Sequence, residues 1–74
     1  MEVYRLIYKV CSSKGEANRY LKQVQDKARH PEVVFSPRSG AWVVVLCQVN
    51  SRDDAERAFM YFRKNNVMAN IQKV

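Results

Sequence analysis

The sequence predicts an α+β ferredoxin-like sandwich of order βαββαβ, in which a four-stranded antiparallel sheet carries both helices on one face. Three observations predict it. The run Ala41-Trp42-Val43-Val44-Val45-Leu46-Cys47 is apolar at odd and even positions alike, as in a central strand with apolar side chains on both faces. Two helix starts, Ser13 and Ser51, stand 38 residues apart and are followed by matching residues. The 74 residues suffice for one small core and leave no room for a second.

The first strand is expected from about Val3 to Cys11, stopped by Ser12-Ser13. Ser13 with Glu16 reads as a capping box, in which the hydroxyl accepts from the N3 amide and the carboxylate reaches back to the serine amide. Ala17, Tyr20, Leu21, Val24 and Ala28 then form one apolar stripe, with Arg19, Lys22, Gln23, Asp26 and Lys27 on the outer face. His30-Pro31 is the expected end of this helix, because a residue before proline is pushed out of the helical region. Glu32 to Ser36 is a short second strand, and Ser36-Pro37-Arg38-Ser39-Gly40 is a turn leading by a hairpin into the central strand. Ser51 and Asp54 repeat the capping positions, and Ala55, Ala58, Phe59 and Phe62 repeat the stripe until Asn65-Asn66 ends the second helix. Val67 to Val74 is the last strand.

At the 38-residue offset Glu16 matches Asp54, Ala17 matches Ala55, Leu21 matches Phe59 and Val24 matches Phe62. Carried backwards it pairs Tyr4 with Trp42, Leu6 with Val44 and Tyr8 with Leu46, so the single domain, residues 1–74, divides into two βαβ halves of about 3–38 and 41–74. With matched positions facing the same way, period two places Tyr4, Leu6, Tyr8, Val10, Val33, Phe35, Trp42, Val44, Leu46, Ala69 and Ile71 under the helices. The uncovered side then carries Val3, Arg5, Ile7, Lys9, Cys11, Val34, Ser36, Val43, Val45, Cys47, Met68, Asn70 and Gln72. An apolar centre of Ile7, Val43 and Val45 rimmed by Arg5, Lys9 and Arg38 is the pattern of a protein contact. The plainer reading is that valines on an open sheet reflect strand propensity.

Hydrophobic residues at 47% with 27% charged are those of a folded chain. Thirteen Lys and Arg against seven Asp and Glu give a net charge of +6, which favours acidic macromolecules as partners. The apolar run falls far short of the roughly 20 residues that span a bilayer. Met1 leads straight into the strand pattern without a basic segment and an apolar core of signal-peptide type. A cytoplasmic protein with no membrane contact is therefore the expectation. Cys11, Cys47 and the one His30 are too few for a disulfide framework or a four-ligand zinc site, so neither metal nor cofactor is expected. The two cysteines fall near the C-terminal ends of antiparallel neighbours, at opposite ends of the sheet and out of bridging range.

Nor does a catalytic set emerge. Cys11 precedes a helix N-terminus, where a thiolate is favoured, but a Cys-x5-Arg phosphate loop needs arginine where Ala17 stands. Asp53, Asp54 and Glu56 are accounted for by capping and the helix dipole.

The residues Trp42 to Val49 followed by Ser51-Arg52-Asp53-Asp54-Ala55-Glu56 resemble the SPOR domain, the sporulation-related repeat of bacterial envelope proteins, which reads aromatic-x-Val-x-Val and then Ser-x-x-Glu-Ala, twice over. Tyr4, Leu6, Ser13, Glu16 and Ala17 carry the likeness in the first half. The resemblance implies a ferredoxin-like fold and binding of peptidoglycan glycan on the open sheet, at positions that are Ile7, Val43 and Val45 here. Arg38-Ser39-Gly40-Ala41-Trp42-Val43-Val44-Val45 with Asp54-Ala55-Glu56-Arg57-Ala58 also resembles an RNA-recognition motif, which implies base stacking on the two central strands.

Together these features predict a non-enzymatic module that engages an acidic protein, or a second copy of itself, through Arg5, Ile7, Lys9, Arg38, Val43 and Val45. The alternative is single-stranded nucleic-acid binding by Tyr4, Tyr8, Arg38 and Trp42, which requires the opposite strand parity. Glycan binding of the SPOR kind ranks third.

Overall fold

The computed structural model describes residues 2–74. Its elements are β1 (Tyr4–Cys11), α1 (Lys14–Val24), β2 (Glu32–Ser36), β3 (Ala41–Val49), α2 (Arg52–Lys64) and β4 (Asn70–Lys73), and the antiparallel sheet runs β2-β3-β1-β4. This is the ferredoxin-like α+β fold. Both helices start as the caps dictate: Ser13 Oγ accepts from the Glu16 amide at 3.2 Å and Ser51 Oγ from the Asp54 amide at 3.1 Å. Ala17 and Ala55 are fully buried, small enough to let each helix lie close on the sheet. The core between the layers gathers Tyr4, Leu6, Val24, Val44, Leu46 and Phe62, with Val67 and Ala69 closing it beyond α2.

Two boundaries differ from the expected ones. The first helix ends at Val24 rather than at His30-Pro31, in a turn where the Lys27 and Ala28 amides both donate to the Val24 carbonyl. β2 begins opposite Val45, four residues short of the end of β3, and residues 25–31 cover that distance as irregular chain. The last strand begins at Asn70 rather than Val67 because residues 65–67 finish α2. Asn66 takes φ of 62°, its amide donates to the Arg63 carbonyl, and the Val67 amide donates to Phe62 at 2.8 Å. That is a Schellman ending with asparagine in the left-handed position, and Val67 buried beside Phe62 is its apolar clasp.

The register between β1 and β3 shifts twice. Leu6 pairs with Cys47, Ile7 with Val45 and Lys9 with Val44, so Tyr8 on one strand and Leu46 on the other have no partner. Each strand thus carries a bulge, and two successive residues of each, Tyr8-Lys9 and Leu46-Cys47, turn toward the helices. Beyond the bulges the parity predicted for β1 and β3 is inverted. Cys11, expected on the open face, is buried in the core opposite Trp42, and Cys47 packs against the core as well. Val10, expected under the helices, is 66% exposed on the other side.

The inversion is measurable. Leu6→Ala should lower stability by about 2–5 kcal/mol, as for a fully buried leucine, and Val10→Thr should stay within about 0.5 kcal/mol of the native chain in urea unfolding. Comparable losses at both positions would contradict the bulge. A second expectation concerns pH. Glu2 accepts from the Tyr4 hydroxyl at 2.9 Å and lies 3.5 Å from Lys73 Nζ, tying the start of β1 to the end of β4. The Tyr4 hydrogen bond first, then the Lys73 charge, hold the Glu2 carboxyl below its ordinary value of 4.5, and the same bond raises the Tyr4 phenol above 10.0. A depressed carboxyl stabilises fully above its unfolded pKa and loses that effect as pH falls through the folded value. A raised phenol does so below its unfolded pKa and loses it as pH rises through the folded one. Glu2→Gln should therefore flatten the acid side of the stability profile without changing the fold.

Candidate protein-interaction face

The side of the sheet away from the helices is built from alternate residues of all four strands. Its rows follow from the register: Val34, Val43 and Val10 lie side by side across β2, β3 and β1, and Glu32, Val45, Ile7 and Asn70 form the next row across all four strands. Gln48, Arg5 and Gln72 make the third, with Arg5 Nε donating to Gln48 Oε1 at 3.1 Å. β-branched side chains dominate the first two rows because they suit a pleated surface. Ile7 and Val45 are only 6% and 2% exposed although no helix covers them, since their neighbours in the sheet shield them. Val34 and Val43 are half-buried and Val10 stands clear.

The predicted contact residues divide. Arg5, Ile7, Val43 and Val45 lie together on this face, and Arg38 is exposed in the hairpin turn, which Gly40 closes with φ of +66° and a 2.9 Å bond to the Ser36 carbonyl. Lys9 does not belong to the set. The bulge turns it to the helix side, where its Nζ lies 5.4 Å from the Tyr8 ring and 5.3 Å from the Tyr20 ring, and Tyr8 and Tyr20 meet edge to face at 6.0 Å. The residue missed was Val10. Its apolar character in a half-polar strand was a signal, but strict alternation assigned it inward.

The three aromatics of the nucleic-acid alternative are on the other side, apart from Arg38 in the hairpin turn. Tyr4 is buried in the core, the Tyr8 hydroxyl donates to Gln23 of α1 at 3.1 Å, and Trp42 packs on Phe35 at 4.9 Å beneath the Lys14 ammonium, 5.6 Å from its ring. The uncovered face therefore offers no aromatic platform. Charge is distributed in the same uneven way. Of the basic residues only Arg5 rises from the face, balanced by Glu32, while the helices and the loop between α1 and β2 hold Lys14, Arg19, Lys22, Lys27, Arg29, Arg52, Arg57, Arg63 and Lys64.

Neither thiol is activated. Burial first, then a hydrogen bond and the charge of Glu16, push the Cys11 thiol up, and burial does the same to Cys47. Among the described residues no group of three or more His, Cys, Asp and Glu gathers as metal ligands, and no helix is long and apolar enough to cross a membrane. In the folded chain iodoacetamide should modify half-buried Cys47 slowly at neutral pH, faster as pH rises, and spare Cys11 until the chain unfolds. Rapid modification of Cys11 at neutral pH would point to a thiolate.

Fold and face together define a ferredoxin-like α+β module with one sheet face left bare. Comparison with protein-family models, with curated proteins and with solved structures finds no match to this chain.

Proposed function

We propose that the chain is a non-enzymatic binding module that pairs with a second copy of itself through the uncovered sheet face. The observation that carries this reading is the uncovered row Val34-Val43-Val10 above Ile7 and Val45, on a face whose charged groups are one arginine and one glutamate. Apolar patches of this kind mark protein contacts. The net charge of +6 favours an acidic partner for the chain as a whole, but the charge lies on the helices and loops, away from this face. Copy against copy, two sheets pack about 10 Å apart and the helical layers point outward. The basic surfaces then stand about 20 Å or more apart, over twice the roughly 8 Å screening length at physiological salt. The 31 × 27 Å outline of the molecule gives a face on the order of the 800 Å² per partner of a standard interface.

The other readings lack such support. Glycan binding of the SPOR kind uses polar side chains at positions occupied here by Ile7, Val43 and Val45, and base stacking needs aromatics that the bulges and the core hold elsewhere.

Sedimentation equilibrium tests the proposal. The native chain should approach twice its 8.7 kDa at micromolar concentration, with pairing unchanged or tighter as salt is raised. Val10→Glu should give the monomer mass with the same circular dichroism and a melting temperature that no longer rises with protein concentration. A native chain that stays monomeric would overturn self-pairing; pairing that weakens steeply with salt, or survives Val10→Glu, would move the contact to the basic surface.

A further inference from the structure

We propose a second binding site, independent of the pairing face: the bare lower edge of β3 takes an extended acidic segment of another protein as an added strand. β3 runs to Val49, but β2 pairs with it only from Ala41 to Val45. On that side Leu46, Cys47, Gln48 and Val49 have no strand beside them, and among the described residues no backbone hydrogen bond from the loop reaches them. An unpaired strand edge is a template for main-chain pairing, and proteins normally cover it or blunt it with charge.

Here it opens instead into a cleft of about 900 Å³, within the range of ligand-holding clefts. Its outer wall is the chain after α1, with Lys27, Arg29 and His30, and its apolar surface includes Cys47, Tyr61 and Phe62. The loop is held off the strand because Lys27 Nζ donates to the Asn65 carbonyl at the end of α2, at 3.3 Å. Four residues of edge span about 13 Å, the length of a short added strand.

The charge selects the occupant. Lys27 and Arg29 stand on the wall, against the single carboxylate of Glu32. An incoming strand alternates its side chains, so acidic residues on one side meet these cations while apolar residues on the other face Tyr61 and Phe62. Main-chain bonds supply affinity and the alternating side chains supply selection.

The test uses the full chain, isotopically labelled, and three blocked peptides: alternating glutamate and valine, the same with lysine for glutamate, and the glutamate peptide with prolines at alternate positions. The glutamate-valine peptide should shift the amide resonances of Leu46 to Val49 and of Lys27 to His30, and protect amides at the strand edge from exchange. Lysine and proline peptides should bind at least about tenfold more weakly, the first for charge and the second for lack of amide donors. Arg29→Glu, an exposed change that leaves the Lys27–Asn65 bond in place, should weaken the acidic peptide by at least about threefold. Val10→Glu should leave its binding unchanged, which separates this site from the pairing face. No shift at the β3 edge, or equal binding by the lysine or the proline peptide, would overturn the proposal.

Discussion

The structure depends on a pair of compensating bulges at the middle of the sheet. Tyr8-Lys9 on β1 and Leu46-Cys47 on β3 each turn two consecutive side chains toward the helices, and the ladder returns to its earlier register once both are passed. A single bulge would have carried a one-residue slip along the rest of the two central strands. Placed opposite each other, the two bulges invert the facing of both strands together, so cross-strand neighbours still match: Cys11 with Trp42 inside and Val10 with Val43 outside.

That geometry separates chemistry by side. Tyr8, Lys9, Tyr20, Trp42 and Lys14 assemble beneath and beside α1, where aromatic rings and ammonium groups stack on one another. The bare face is left with β-branched residues, two glutamines, an asparagine and a balanced pair of charges. A +6 chain thus keeps one nearly neutral surface, because Lys9 is turned to the helix side and most other cations lie on the helices and loops.

Short strands at the sheet's margins shape the rest. β4 pairs with only Tyr4 to Ile7 of β1, since the Schellman ending of α2 consumes Asn65 to Val67 before the chain can extend. β2 pairs with only Ala41 to Val45 of β3, and the irregular chain after α1 stands off the remaining edge instead of pairing with it. One face and one edge are therefore open in different directions, the first nearly neutral and the second lined by cations.

The sequence by itself determined the order of elements, both N-caps, the hairpin turn and most of the core, because caps, turns and apolar periodicity are local signals read within a few residues. It also placed Trp42, Val44 and Leu46 on the covered side, and Ile7, Val43 and Val45 on the open one. Tertiary structure alone decided where Lys9, Val10, Cys11 and Cys47 point, where α1 ends and where β4 begins. A bulge leaves no mark in its own residues. Tyr8 and Leu46 lose their partners because two strands distant in sequence must fit one core, and counting by twos along either strand carries no information about the other.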